Sequence, residues 1–70
     1  MIEVFKTNVQ DIQQSLKLLS KLRQCFSDLR VNFDLEDCDK ILRVEGKNVP
    51  INKITKTLLL EGYLCEVLED

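Results

Sequence analysis

Leu29-Arg30-Val31-Asn32-Phe33-Asp34-Leu35-Glu36 alternates apolar and polar residues at every step. Leu29, Val31, Phe33 and Leu35 point one way, and Arg30, Asn32, Asp34 and Glu36 the other. A period of two is the signature of a strand with one face on a core and one in water. Lys40 to Glu45 supplies its antiparallel partner. With a turn at Asp37-Cys38-Asp39-Lys40, Glu36 faces Ile41, Leu35 faces Leu42 and Phe33 faces Val44. On the wet face Asp34 then meets Arg43, an opposite-charge pair of the kind that supports a ladder. A slip of one residue would destroy both matches.

The elements on either side of this hairpin follow from their own patterns. Ile2 to Thr7 is short and rich in β-branched and aromatic residues, as strands are. Asn8 is a favourable N-cap, and Asp11 three residues on completes a capping-box spacing, so a helix is expected from about Val9 to Phe26. Ile12, Leu16, Leu19, Leu22 and Phe26 form its buried stripe, with Leu18 off it. After the hairpin, Gly46 to Val49 reads as a loop. Pro50 suits the first turn of a second helix. Ile51, Ile54 and Leu58 are its core residues, flanked by Thr55 or Leu59, and Gly62 is its C-cap. Tyr63 to Leu68 reads as the last strand and Glu69-Asp70 as a solvated tail.

Two strand–helix–strand units thus interleave in one domain spanning residues 1–70. The expected fold is an α+β, ferredoxin-like βαββαβ sandwich: a four-stranded antiparallel sheet of order 4-1-3-2 with both helices on one face. Three loops then meet at one end: the Thr7–Asp11 turn, the Asp37–Lys40 hairpin tip and the Glu61–Tyr63 turn. Cys25 falls at the other end.

Composition bounds the function. Apolar residues make up 44% and charged residues 31%, which marks a folded chain. The net charge of −2 argues against a nucleic-acid partner, which needs a basic face. No apolar run approaches the roughly 20 residues of a membrane span, and no signal peptide is visible behind Met1. Three cysteines, an odd count with no close pair, fit reduced thiols in the cytoplasm better than a disulfide framework. With no histidine, no serine–base pair and no Gly-rich phosphate loop, enzymatic activity is not expected.

The order of elements, the strand–turn–helix opening from Val4 to Gln14, the alternating Val31–Leu35 strand and Gly62-Tyr63 after the second helix together resemble the heavy-metal-associated domain family, the copper-chaperone-like domains. The resemblance covers essentially the whole chain. It implies a Gly-Met-Thr-Cys-x-x-Cys loop at the opening turn, where two thiolates hold a soft ion such as Cu(I) beside a helix N-terminus. Here that turn is Thr7-Asn8-Val9-Gln10-Asp11. Val9 or Gln10 stands near the first ligand position and Ile12 or Gln13 near the second, so neither ligand carries over. Tyr63 carries over as a residue beside the loop, without a metal to serve.

The expected function is therefore a protein-interaction or scaffold module with no resident cofactor. It would use the helix-free sheet face or the three-loop end, with Asn8, Gln10, Asp11, Asp37, Asp39 and Tyr63 as candidate contact residues. Self-association or a protein partner is expected. Tyr63, Phe5 and Ile41 are candidates for an apolar patch on the helix-free face. The alternative is an atypical Cu or Zn carrier using Cys38 or Cys65 with acidic groups. Asp34, Glu36, Asp37 and Asp39 surround Cys38, and Asp is also favoured in turns for its own backbone bonding. Those neighbours disfavour the Cys38 thiolate. Cys38 and Cys65 are expected about three strand spacings of ~4.8 Å apart, too far to share an ion within one molecule. Cys25 and Cys65 read as small buried hydrophobes. A third class is a regulatory domain binding a small molecule in a pocket.

Overall fold

A computed structural model describes residues 1–68. Six elements run β1 (Ile2–Thr7), α1 (Ile12–Cys25), β2 (Arg30–Asp34), β3 (Ile41–Glu45), α2 (Ile51–Leu60) and β4 (Cys65–Val67). The expected tail at 69–70 lies outside the described residues.

The four strands form one antiparallel sheet in the order β2-β3-β1-β4. Counted from the other edge this is 4-1-3-2, the neighbour relations expected from sequence. Phe5 and Phe33 both oppose Leu42, and Val31 opposes Val44. These side chains therefore share one face. Phe5, Val31, Leu42 and Val44 cluster with Leu18, Leu19 and Leu22 of α1 and with Ile54 and Leu58 of α2. Both helices thus cover the same face, and the core lies between them and the sheet.

The register of the central hairpin is two residues away from the expected one. Phe33, not Leu35, opposes Leu42, and Arg43 opposes Asn32 instead of Asp34. A two-residue shift leaves every side chain on its own face, so alternation alone does not choose between the two. The connection decides it, running from Leu35 to Lys40 as a longer tip than the four-residue turn expected. Asp39 N–H donates to the Asp37 carboxylate at 2.8 Å, and Lys40 N–H to the Asp37 carbonyl at 3.0 Å. Lys40 adopts φ of 49°, and its ammonium donates to the Leu35 carbonyl at 3.1 Å. The cross-strand ion pair moves accordingly to Arg30 and Glu45, at 3.8 Å.

Helix α1 also differs from expectation, in its start and its phase. Its N-cap is Asp11, whose carboxylate accepts from Gln14 N–H at 2.8 Å, and not Asn8. Its buried residues are Ser15, Leu18, Leu19 and Leu22, whereas Ile12 and Leu16 are 68% and 58% exposed. Apolar side chains on this helix span an arc of about 160° at 100° per residue, wider than one contact stripe. The core takes the Leu18 side of that arc and leaves Ile12 and Leu16 outside.

The second helix ends as its glycine requires. Gly62 adopts φ of 95°. Its N–H bonds the Leu59 carbonyl at 3.0 Å, and Tyr63 N–H bonds the Leu58 carbonyl at 2.9 Å. This paired arrangement is the Schellman motif, which satisfies carbonyls a helix end would otherwise leave open. Pro50 stands at the N-cap, one place earlier than expected, and its carbonyl accepts the first helical bond from Ile54 N–H at 3.0 Å. Ile54 and Leu58 are buried and Ile51 is half-buried.

Candidate functional site

The three loops do gather at one end, and Thr7 and Asn8 join them. Thr7 N–H donates to the Asp39 carbonyl at 3.0 Å, and Thr7 Oγ1 donates to the Lys40 carbonyl. The same hydroxyl accepts from Val9 N–H at 3.3 Å. Asn8 Oδ1 accepts from Leu64 N–H at 2.8 Å, which ties the opening turn to the segment after α2.

Most of the polar groups proposed as contacts are thereby engaged within the chain. Gln10 Nε2 donates to the Asn8 carbonyl at 3.3 Å, and Gln10 N–H donates to Gln14 Oε1 at 2.8 Å. Asp11 caps α1, and Asp37 organises the hairpin tip. Asp39 lies 3.8 Å from the Lys6 ammonium. Tyr63 is half-buried against the core. The arrangement holds this end of the fold together.

The ligand atoms of Asp37, Cys38 and Asp39 fall within 4.8 Å of one another. The turn accounts for this closeness, because the Asp37 carboxylate is held by Asp39 N–H. Cys38 is exposed, and so, against the expectation of a buried residue, is Cys25, which stands at the last position of α1. Cys65 is half-buried against the core, and burial pushes its thiol up to about 12 from 9.0. A neutral thiol is a poor soft-metal ligand. Cys65 registers with Thr7, whose other side carries the Asp39 carbonyl. Asp39 of the hairpin tip thus lies beside β1, about two strand spacings, ~10 Å, from β4. That is still wider than the roughly 4 Å at which two thiolates share an ion.

The helix-free face carries no patch built from Tyr63, Phe5 and Ile41. Phe5 is fully buried on the helix side, and Ile41 is buried beside Asp34 on the open face. That face does carry Ile2, 53% exposed, with Val4 in the same row, and other exposed apolar side chains flank the sheet. Leu59 and Leu64 lie beside Cys65 at the β4 edge. Ile12 and Leu16 lie toward the β2 edge, where a groove of about 500 Å³ runs between α1 and β2. Ser15 and Leu19 form its inner wall, and Phe33 and Leu35 its outer one. Ser15 Oγ donates to the Ile12 carbonyl at 2.7 Å, so the inner wall offers no free hydroxyl proton. Sequence reasoning missed this groove by assigning Ile12 and Leu16 to the core. The surplus of apolar positions on α1 was the signal that one flank had to remain outside.

Among the described residues no helix is long and apolar enough to cross a membrane. No family model, curated protein or solved structure matches the chain.

Proposed function

We propose that this chain is a non-enzymatic protein-interaction module on a ferredoxin-like plan, akin to heavy-metal-associated domains but without their two-cysteine loop. The observation that carries the reading is the exposure of Ile12 and Leu16 above an apolar groove beside an unpaired sheet edge. Exposed apolar surface next to open backbone groups is the recognition surface used when a strand is added to a sheet. The polar groups of the three-loop end are engaged in internal bonds, which moves the expected contact surface from that end to the β2 side. Three free thiols fit a reducing compartment such as the cytoplasm.

The test is to size the reduced chain by light scattering and to compare its captured partners in native lysate with those of Leu16→Lys. Association lost in Leu16→Lys supports the reading. A wild-type chain that stays monomeric and captures nothing overturns it.

The cluster of Asp37, Cys38 and Asp39 supports a second reading, as an atypical Cu or Zn carrier. Anaerobic titration of the reduced protein with Cu(I) and Zn(II) tests it. Stoichiometric binding abolished by Cys38→Ala supports it, and affinity unchanged by Cys38→Ala with Cys65→Ala removes it.

A further inference from the structure

We propose that the occupant of the β2 edge is a second copy of this chain, paired antiparallel through β2 about a two-fold axis at Asn32. This rests on the interaction reading above and names its partner. Strand β2 is outermost in the sheet, with β3 on one side only. An edge of this kind presents unpaired N–H and C=O groups and is normally blunted by proline, a bulge or charged side chains, lysine above all. Arg30-Val31-Asn32-Phe33-Asp34 contains no proline, lysine or glycine, and its two charged residues, Arg30 and Asp34, are opposite in sign. The other edge, β4, has only three residues, Cys65–Val67.

The argument for self-pairing is charge complementarity in the register that pairs the whole of β2, Arg30–Asp34, with itself. An antiparallel two-fold at Asn32 sets Arg30 opposite the second copy's Asp34, Val31 opposite its Phe33, and Asn32 opposite its own counterpart. All five residues of β2 are then paired, each with a suitable neighbour, and two ion pairs form by symmetry. Moving the axis to Val31 sets Asp28 against Asp34, a like-charge pair. Moving it between residues sets core-face against open-face side chains and turns the helices of the two copies to opposite sides. Both charges are available for the pairing. Asp34 is exposed and makes no ion pair among the described residues, and Arg30 reaches Glu45 only at 3.8 Å with its side chain 86% exposed. Because both helices lie on one face, the same axis brings the groove of one copy, with its Ile12 and Leu16, alongside the groove of the other.

The experiment is sedimentation of the full chain under reducing conditions, for wild type, Arg30→Asp, Asp34→Arg and the double swap. The expected result is a wild-type dimer, each single reversal weakened at least about tenfold by like charges meeting across the axis, and restoration in the double swap. Amide spectra confirm that each variant is folded. If a single variant does not fold, hydrogen exchange on wild type decides, with protection of β2 amides that rises with concentration as the expected result. A wild-type monomer, or β2 protection independent of concentration, overturns the proposal. A dimer indifferent to the charge reversals also overturns it, while leaving the broader interaction reading intact.

Discussion

Asn8 Oδ1 accepts a hydrogen bond from Leu64 N–H at 2.8 Å, linking residues 56 positions apart. An asparagine placed to start the first helix is used to hold the segment after the second one. Together with Thr7, whose hydroxyl holds the Lys40 carbonyl, it fixes three loops to one another. The opening turn of this chain is a structural clasp.

Removing the clasp should cost stability. Asn8→Ala leaves Leu64 N–H to water and is expected to lower unfolding free energy by about 1 kcal/mol. Asn8→Asp keeps an acceptor oxygen and should lose less. Thr7→Val keeps the shape but strands a buried carbonyl and N–H, and should cost about 1–3 kcal/mol. Urea unfolding followed by circular dichroism reads these as midpoint shifts with an unchanged slope.

The order of elements was legible because alternation from Leu29 to Leu35 and the Pro50–Gly62 bounds of α2 are local signals. The hairpin register was not, since a two-residue shift preserves the face of every side chain and the choice lay in the bonding of Asp37, Asp39 and Lys40. The start of α1 was misplaced because Asn8 and Asp11 both make good caps, and only the distant Leu64 decides between them. The groove was hidden for a related reason. Leu16 and Leu18 are equally apolar, and only tertiary packing selects which one is buried.

That selection predicts opposite outcomes for two neighbouring leucines. Leu18 is 2% exposed and Leu16 is 58% exposed. Leu18→Ala should cost about 2–5 kcal/mol through lost burial and the cavity left behind. Leu16→Ala should stay within about 0.5 kcal/mol, as for other surface changes. A larger loss for Leu16→Ala than for Leu18→Ala in chemical denaturation, measured at a concentration where the chain is monomeric, would mean that α1 sits in the phase first expected from its sequence.

The two glycines should fail for different reasons when changed to alanine. A Cβ on Gly62 meets nothing within 4 Å, but φ of 95° is a conformation other residues rarely adopt. Gly62→Ala should therefore cost about 1 kcal/mol from backbone strain, and Gly62→Asn less. A Cβ on Gly46 runs into Leu29 Cδ2, a buried core side chain. Gly46→Ala requires Leu29 to move, with an overpacking cost of about 1–3 kcal/mol. Leu29→Ala made together with Gly46→Ala should relieve that clash, so the double variant should be more stable than the sum of the two single losses. No comparable partner exists for Gly62.

Burial of Cys65 predicts both its reactivity and an alkaline dependence of stability. With its thiol pushed up to about 12, Cys65 should remain unalkylated at pH 8 while exposed Cys25 and Cys38 react, and mass spectrometry of the modified peptides checks this. The folded state holds the proton more tightly than the unfolded state, where the thiol has its ordinary value of 9.0. Below pH 9 both states are protonated and stability does not depend on this group. Between pH 9 and 12 the unfolded chain gives up the proton first, so folding weakens as pH rises. The measurement is the difference between wild type and Cys65→Ala, which isolates this thiol. The wild-type chain should lose stability faster with rising pH, and the two curves should run parallel below pH 9. Curves that stay parallel to pH 11 would place the Cys65 thiol in water instead of against the core.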